Sequence, residues 1–178
     1  QTEQTEERIQ QHRARVRLPA RENMLLASLQ AVRHGPTRFP GYSHIIYDVD
    51  PALARTIDRP DMLIVEGLGL SPLPGGYDAA DALDTLIYLD AAEADLEHWF
   101  VARFMGLWHA AETDPASFYA QFRGLDEAGA QAFARSVWDR INLPNLRDHI
   151  CAARDRADII LTKDRDHIMT LTFVRDRD

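Results

Sequence analysis

The sequence predicts one α/β domain with a mostly parallel sheet and helices on both of its faces, in three layers. Apolar runs of strand length alternate with stretches of helical periodicity, a succession typical of parallel α/β sheets. The chain has 178 residues, which is enough to bury one core. Apolar residues make up 46% and charged residues 27%, an ordinary globular composition.

The chain opens on a polar stretch that carries no apolar stripe. We expect residues 1–18 to form a solvated helix or a frayed lead-in, and residues 19–178 to form the α/β domain. Apolar side chains recur at helical spacing after Pro19, and the Gly35-Pro36 pair is expected to stop that helix.

The next stretch is punctuated by proline and glycine. We expect residues 36–48 to form an extended loop and residues 49–60 a short excursion. The apolar run at 62–66 is predicted to be a buried strand, because it ends in an acid and a glycine. Residues 71–76, Ser-Pro-Leu-Pro-Gly-Gly, predict a turn.

A second buried strand is predicted at 86–89, ending in Asp90, and is followed by a helix at 92–109. Large apolar side chains recur in that helix with a period near 3.6 and are expected on one side of it: Leu96, Trp99, Phe100, Phe104 and Leu107.

The last third of the chain again alternates helices and strands. Asp114-Pro-Ala-Ser117 is expected to cap a helix that runs to about Phe122. A further helix is predicted at 127–141, and strands at 157–162 and 168–174 are predicted to be joined by a charged turn.

Charge and cysteine content narrow the class of function. The net charge is −8, and nineteen of the twenty basic residues are scattered arginines, so we expect no nucleic-acid partner. The single cysteine, Cys151, excludes an internal disulfide framework and fits a reducing cytoplasm. No apolar run approaches the length of a membrane span, so we expect no membrane partner either.

Seven segments, in this order, carry a family resemblance: the helix from Pro19 to Gly35, Tyr42–Asp48, Arg59–Gly67, Trp99–Phe104, Thr113–Ser117, Ile141–Leu146 and Ala152–Lys163. With these segments the chain, from about Pro19 to Val174, resembles the bacterial, type I pantothenate kinases of the phosphoribulokinase/uridine kinase superfamily. Each segment is weak alone, but seven in order with compatible gaps are specific.

The resemblance implies a P-loop-kinase-like α/β fold and an ATP-dependent kinase. Such an enzyme transfers the γ-phosphoryl group to a primary hydroxyl, here that of pantothenate, in the first step of coenzyme A biosynthesis. ATP and Mg²⁺ are the implied cofactors, a small molecule is the implied substrate, and a homodimer is plausible by the same resemblance.

The phosphate cradle of that family has no counterpart in this sequence. The motif G-x-x-x-x-G-K-[ST] requires a lysine after a glycine, and the only lysine, Lys163, follows Thr162. We expect the chain to be the C-terminal part of a kinase whose nucleotide-binding half lies upstream. A naturally shortened relative remains the alternative.

The segment Tyr42–Asp48 clusters two phenols and an imidazole, groups that donate and accept hydrogen bonds to a small polar substrate. Tyr42, His44 and Tyr47 are therefore candidate acceptor ligands, and the alternative is an aromatic turn packed on the core. The resemblance adds further substrate-binding candidates: Phe100, Phe104, Tyr119, Phe122 and Asn142. For Asn142 the alternative is a cap at the end of a helix.

Two residues are candidates for catalysis. Arg103 resembles the family's lid arginine, which stabilises charge on the transferring phosphoryl group, and the alternative is a surface arginine paired with a glutamate. Glu66 stands where a Walker-B-like acid would position Mg²⁺, and the alternative is a carboxylate that caps the following turn. No residue of this chain is assigned as the general base.

Lys163 and His167 lie on the last turn, which in relatives is beside the adenine, so they are the candidate nucleotide-binding residues. His167 as a solvent-facing turn residue is the alternative. The chain also departs from the family pattern: Phe100 replaces a usual tyrosine, and Leu107 and Glu112 replace phenylalanines. Two further functions therefore stay open: a catalytically dead remnant that binds pantothenate or coenzyme A, and a kinase for another hydroxylated acceptor.

Overall fold

The computed structural model describes residues 19–43, 48–68, 70 and 79–176. The chain divides into two compact units, residues 1–40 with 54–83 and residues 41–53 with 84–178.

Helix α1, Pro19–Ala31, confirms the helix predicted after Pro19. It ends earlier than expected, because the amides of His34 and Gly35 donate to the Ala31 carbonyl in a tight turn. Leu29 and Val32 are buried, so one side of the helix end contributes to the core of the first unit.

Strands β1, Pro36–Ser43, and β2, Asp48–Asp58, pair in a two-stranded sheet. The predictions of a loop at 36–48 and a short excursion at 49–60 are therefore wrong. Proline is compatible with both strands because every strand of a two-stranded sheet is an edge strand, where a missing amide does not break the ladder.

The prediction of a strand at 62–66 is wrong. Residues 62–66 are irregular, and Met62 and Ile64 are 80% and 83% exposed. An apolar run becomes a strand only when a neighbour accepts its backbone hydrogen bonds and covers its faces, and none of the described strands pairs with this run. The turn predicted at 71–76 lies outside the described residues, as does the lead-in at 1–18. A 3₁₀ turn at Ala79–Ala82 follows.

Helix α2, Glu93–Ala110, confirms the helix predicted at 92–109. Its buried side chains are Val101, Phe104 and Trp108, whereas Leu107 is exposed, so the predicted apolar side was rotated. A 3₁₀ helix at Phe118–Phe122 follows, with Ser117 as the expected cap: its hydroxyl accepts the Tyr119 amide at 3.2 Å.

Helix α3, Glu127–Val137, begins where a helix was predicted, and the Asp126 carboxylate caps it by accepting the Gly129 amide at 2.8 Å. The helical backbone does not stop at 141. It continues through four short segments: a π-helix at Trp138–Asn142, α4 at Leu143–Asn145, a second π-helix at Leu146–Ile150 and a 3₁₀ helix at Cys151–Arg156.

The second sheet has the order β3, Ile87–Asp90; β4, Ile159–Lys163; and β5, Met169–Val174. These strands confirm the three predicted at the corresponding positions. The pairing of β3 with β4 is parallel and that of β4 with β5 antiparallel. The expected α/β class is confirmed, but the sheet is mixed, because the turn 164–168 is far shorter than the dozen or so residues that a parallel connection requires.

One face of this sheet is covered. Tyr88 and Ile160 pack there against Ala153 and Ala157 of the segment that leads into β4. The Asp158 carboxylate also accepts the Leu86 amide at 2.8 Å, which ties the starts of β3 and β4 together. A buried strand was predicted at 86–89, but Ile87 and Leu89 on the opposite face are exposed, so β3 is buried on one side only. None of the helices in the described part of the chain combines the length and the apolarity that crossing a bilayer needs.

Candidate functional site

An aromatic cluster joins α2, the 3₁₀ helix and α3. The Phe104 ring lies 5.4 Å from Tyr119 and 5.6 Å from Phe122, and the Phe122 and Phe133 rings are 4.9 Å apart between centroids. Phe104 and Phe122 are buried and Tyr119 is half-buried. The structure thus brings together three of the predicted substrate-binding residues.

Contacts of Trp108 hold the 3₁₀ helix on α2. The buried indole Nε1 donates to the Phe122 carbonyl at 3.0 Å, and the Arg123 guanidinium lies 4.1 Å above the indole ring. Arg123 also donates to the Trp108 carbonyl at 3.4 Å and faces the Glu112 carboxylate at 3.7 Å. These contacts fix the C-terminal end of the 3₁₀ helix on α2.

Phe100 lies beside this cluster, and Asn142 lies on the helical segment that begins at Trp138. Phe100 is half-buried, packs against the cluster and contacts Trp138, with ring centroids 6.1 Å apart. Asn142 ends the π-helical segment that Trp138 begins, and its half-buried carboxamide makes no hydrogen bond with the described residues. The alternative of a helix-ending cap is wrong for Asn142, since the helical backbone continues beyond it.

Arg103 lies on α2 between Phe100 and Phe104 and is exposed. Among the described residues, no carboxylate pairs with its guanidinium. The alternative of a surface arginine held by a neighbouring glutamate therefore finds no support there.

A second cluster forms around Trp99. The Lys163 ammonium lies 4.1 Å above the indole, and the His167 ring stacks on it at 4.7 Å with an interplanar angle of 24°. The indole Nε1 donates to the Arg165 carbonyl at 3.2 Å. His167 adopts φ 65°, in a turn that Asp164 closes by accepting the Ile168 amide at 2.9 Å. The two predicted nucleotide-binding residues are thus brought together on one aromatic platform.

Two ion pairs lie at the end of β3 and the start of α2. The Arg147 guanidinium, 2.7 Å from Glu93, lowers the pKa of that carboxyl by hydrogen bonding. Arg154 holds Asp90, at the carboxyl end of β3, at 3.0 Å.

Burial, with a smaller effect of Cys151, raises the pKa of Tyr88 to about 12. Tyr88 therefore stays a neutral phenol at physiological pH and acts as a core residue.

The remaining candidates are Glu66, Tyr42, His44 and Tyr47. Glu66 is an exposed carboxylate in the irregular segment of the first unit. The Tyr42 side chain, His44 and Tyr47 lie outside the described residues. No three His, Cys, Asp or Glu side chains in the described ranges are grouped to hold a metal ion, so these residues do not form a metal cage.

A groove of about 740 Å³ runs between α2 and α3 and is lined by Glu97, His98, Val101, Met105, Gln131 and Arg135, among others. None of the predicted site residues whose side chains the structure describes lines it. The Arg135 guanidinium donates to Glu97 across it at 2.9 Å. Its polar walls are thus partly satisfied by each other, and we assign it no role in the chemistry.

The role of Trp99 as the platform for Lys163 and His167 was not predicted. Sequence spacing gives no signal for it, since more than sixty residues separate the indole from its two partners. The contact between Arg123 and Trp108 was not predicted either, because the helix pattern placed Leu107 rather than Trp108 on the buried side.

In the described part of the chain, the structure is that of an α/β protein with an aromatic cluster next to the exposed Arg103 and a second cluster in which Lys163 and His167 contact Trp99. No protein-family model matches the chain. Curated relatives named pantothenate kinase do. The protein of Rhizobium johnstonii is 39% identical over 160 residues, which is 85% of this chain and 48% of the relative.

Two further relatives carry the same name. The protein of Bradyrhizobium sp. is 42% identical over 157 residues, 84% of this chain and 49% of the relative. That of Streptococcus pyogenes serotype M5 is 40% identical over 147 residues, 81% of this chain and 48% of the relative. The predicted resemblance to pantothenate kinases is thus confirmed, and the chain spans about half the length of the curated relatives it matches.

Proposed function

We propose that this chain provides the acceptor-binding part of an ATP-dependent pantothenate kinase. The observation that carries the proposal is the 39–42% identity to proteins of that name over more than four fifths of the chain. The aromatic cluster and Asn142 support it, because a small hydroxylated metabolite needs an apolar wall and a few polar groups that fix its orientation.

The proposed acceptor pocket is built on Asn142, Tyr119 and the aromatic wall. Asn142 offers both a donor and an acceptor, and its carboxamide is unpaired among the described residues, so a ligand amide or hydroxyl can bind it without displacing a protein partner. Phe100, Phe104 and Phe122 then exclude water on one side. Tyr42, His44 and Tyr47 remain proposed acceptor ligands.

We propose that Arg103 stabilises the negative charge of the phosphoryl group as it moves to the acceptor hydroxyl. ATP supplies that group when it is bound. An exposed guanidinium without a carboxylate partner keeps its donors for the substrate, and removing such an arginine typically costs ~10³-fold or more in rate. Lys163 and His167, on Trp99, are proposed to lie beside the adenine.

The described residues fit a nucleotide base better than its phosphates. The only lysine lies above an indole, and the sequence has no glycine-rich phosphate loop. Glu66 is a single exposed carboxylate, which fits a Mg²⁺ site only together with phosphate oxygens. We therefore assign phosphate binding and proton abstraction to the part of the relatives' sequence that this chain does not span. With that part, we propose a three-layered P-loop-kinase fold and a cytoplasmic homodimer.

Isothermal titration with pantothenate tests the proposed pocket. We expect saturable binding by the chain, weakened about fivefold in Asn142→Ala, since one lost hydrogen bond to the ligand is worth about 1 kcal/mol. Asn145→Ala, the same change on the neighbouring α4 segment, is the matched control and should bind as the unmodified chain does.

Parallel titrations separate the alternatives. Binding of another hydroxylated acceptor, with no binding of pantothenate, would show that the kinase lineage is right and the substrate wrong. Coenzyme A binding by the chain, without any phosphorylation of pantothenate once the nucleotide-binding part is supplied, would favour a non-catalytic remnant. The missing phosphate loop is the observation that keeps this second function in view.

A further inference from the structure

Trp99 is the residue through which α2 contacts the turn between β4 and β5. Its half-buried indole lies 4.1 Å from the Lys163 ammonium and 4.7 Å from the His167 ring, measured between centroids in the second case. The indole Nε1 donates to the Arg165 carbonyl at 3.2 Å. One helical turn earlier, the Asp95 carboxylate lies 3.5 Å from the Arg165 guanidinium. The turn is thus held against α2 through three of its residues.

The Trp99 indole contributes little to the core. The described residues form two buried clusters in the second unit, around Phe104 and around Tyr88, and Trp99 is a member of neither. Its hydrogen bond to the Arg165 carbonyl is exposed, and an exposed hydrogen bond adds little stability because water replaces it. The contacts of this large side chain therefore orient the turn more than they stabilise the fold.

The group that the indole orients most directly is the imidazole of His167. The backbone of His167 is left-handed, with φ 65°, and the Asp164 carboxylate holds the turn in this shape by accepting the amides of Asp166 and Ile168. These backbone contacts leave the side chain free to rotate. The indole fixes it by stacking on one face of the imidazole at an interplanar angle of 24°. Because His167 is exposed, the other face of its ring is open to a flat ligand.

We propose that Trp99 is a positioning residue for the nucleotide base. It holds Lys163 and His167 in place so that the open face of the imidazole stacks on adenine, while the indole itself does not contact the base. The inference rests on the proposed function, which puts these two side chains beside the adenine. Ordering flexible side chains on binding lowers affinity, and Trp99 removes this cost because it orders both of them before the base arrives.

Titration of the chain with adenosine, followed by NMR, tests the proposal. Adenosine carries the base and its ribose without the phosphates, for which the sequence has no glycine-rich loop. We expect weak, saturable binding that shifts the imidazole protons of His167, which His167→Gln identifies in the spectrum. Trp99→Leu should weaken binding about tenfold, since two side chains must then be ordered on binding. Trp99→Phe keeps a ring on which the imidazole can stack and should bind within about threefold of the unmodified chain.

Further measurements separate positioning from a purely structural role. Before adenosine is added, the ring current of the indole should shift the imidazole protons of His167 upfield, and Trp99→Leu should abolish this shift. The ring-current shift is measured in the unmodified chain, so it tests the proposal even if the leucine variant does not fold. Asp95→Asn is the control, because it removes the other contact between α2 and the turn, a partly exposed ion pair that contributes little. It should bind adenosine as the unmodified chain does, and Trp99→Leu should bind pantothenate unchanged.

Four results would overturn the inference: no adenosine binding by the chain, binding that leaves the His167 signals unchanged, equal affinity of Trp99→Leu and the unmodified chain, or an equal loss in Trp99→Leu and Asp95→Asn. A chain that binds pantothenate and gives any of these results keeps the proposed acceptor pocket but not the role of Trp99. A chain that binds adenosine as expected but does not bind pantothenate keeps the role of Trp99 and loses the proposed acceptor. The two failures are therefore distinguishable.

Discussion

Replacing Trp108 with phenylalanine tests whether one buried hydrogen bond holds the aromatic cluster on α2. The indole Nε1 donates to the Phe122 carbonyl at 3.0 Å in a buried position. Phenylalanine keeps an aromatic ring in the same place but has no donor. The Phe122 carbonyl then stays buried without that partner.

The expected loss of stability follows from the contacts that disappear. An unsatisfied buried carbonyl costs ~1–3 kcal/mol. The Arg123 guanidinium, 4.1 Å above the indole, keeps a weaker interaction with the smaller ring, so part of ~0.5–1 kcal/mol is lost as well. We expect Trp108→Phe to lower the free energy of unfolding by about 1–4 kcal/mol.

Trp99→Phe is the matched control. Its indole also donates to a backbone carbonyl, that of Arg165 at 3.2 Å, but this bond is exposed and water replaces it. We expect a loss below about 1 kcal/mol.

Urea unfolding followed by circular dichroism measures both variants, with equal slopes as the sign that only stability has changed. Equal losses in the two variants, or a loss below ~0.5 kcal/mol for Trp108→Phe, would refute the reasoning, because a buried unpaired carbonyl must cost more than an exposed one.

Two further predictions concern the backbone and the charge pairs. A Cβ at Gly41 would overlap the backbone of Leu53, so Gly41→Ala should destabilise the chain in urea, whereas Gly106→Ala, with open space on α2, should be neutral or stabilise it by ~0.5–1 kcal/mol. Equal effects would contradict this. Arg147 lowers the pKa of Glu93 below its ordinary value of 4.5, so the charged carboxylate stabilises the folded chain at neutral pH. Glu93→Gln should therefore be less stable than the unmodified chain at neutral pH. This difference in stability should disappear as the pH falls below 4.5 through the pKa that Glu93 has in the folded chain. A loss unchanged at low pH would contradict the pairing.

The elements that were predicted correctly have signals within a few residues. Helix α2 was found from its apolar period, and the start of α3 follows a capping aspartate, Asp126. Strands β4 and β5 were found because a charged turn separates two β-branched runs. Each of these signals depends only on residues close in sequence, so it predicts the element without knowledge of the rest of the fold.

The elements that were predicted wrongly depend on contacts with segments that are distant in sequence. The run at 62–66 has the composition of a buried strand, but composition does not supply the adjacent strand that would pair with it. Strand β2 was missed for the opposite reason, since its polar and proline-containing sequence forms a strand only by pairing with β1. The rotation that exposes Leu107 and buries Trp108 follows from contacts with the 3₁₀ helix.

The candidate site divides in the same way. Sequence order alone was enough to find the resemblance to pantothenate kinases and to name Phe104, Tyr119 and Phe122 as candidates, because a family pattern is a property of the residues and their spacing. That these three rings pack together was visible only in the structure.

Tertiary structure alone placed Lys163 and His167 on Trp99 and left Leu89 and Leu171 exposed on one side of the second sheet. Both depend on which surfaces meet across long stretches of chain, and side-chain contact at such separations is fixed by packing rather than by any local propensity.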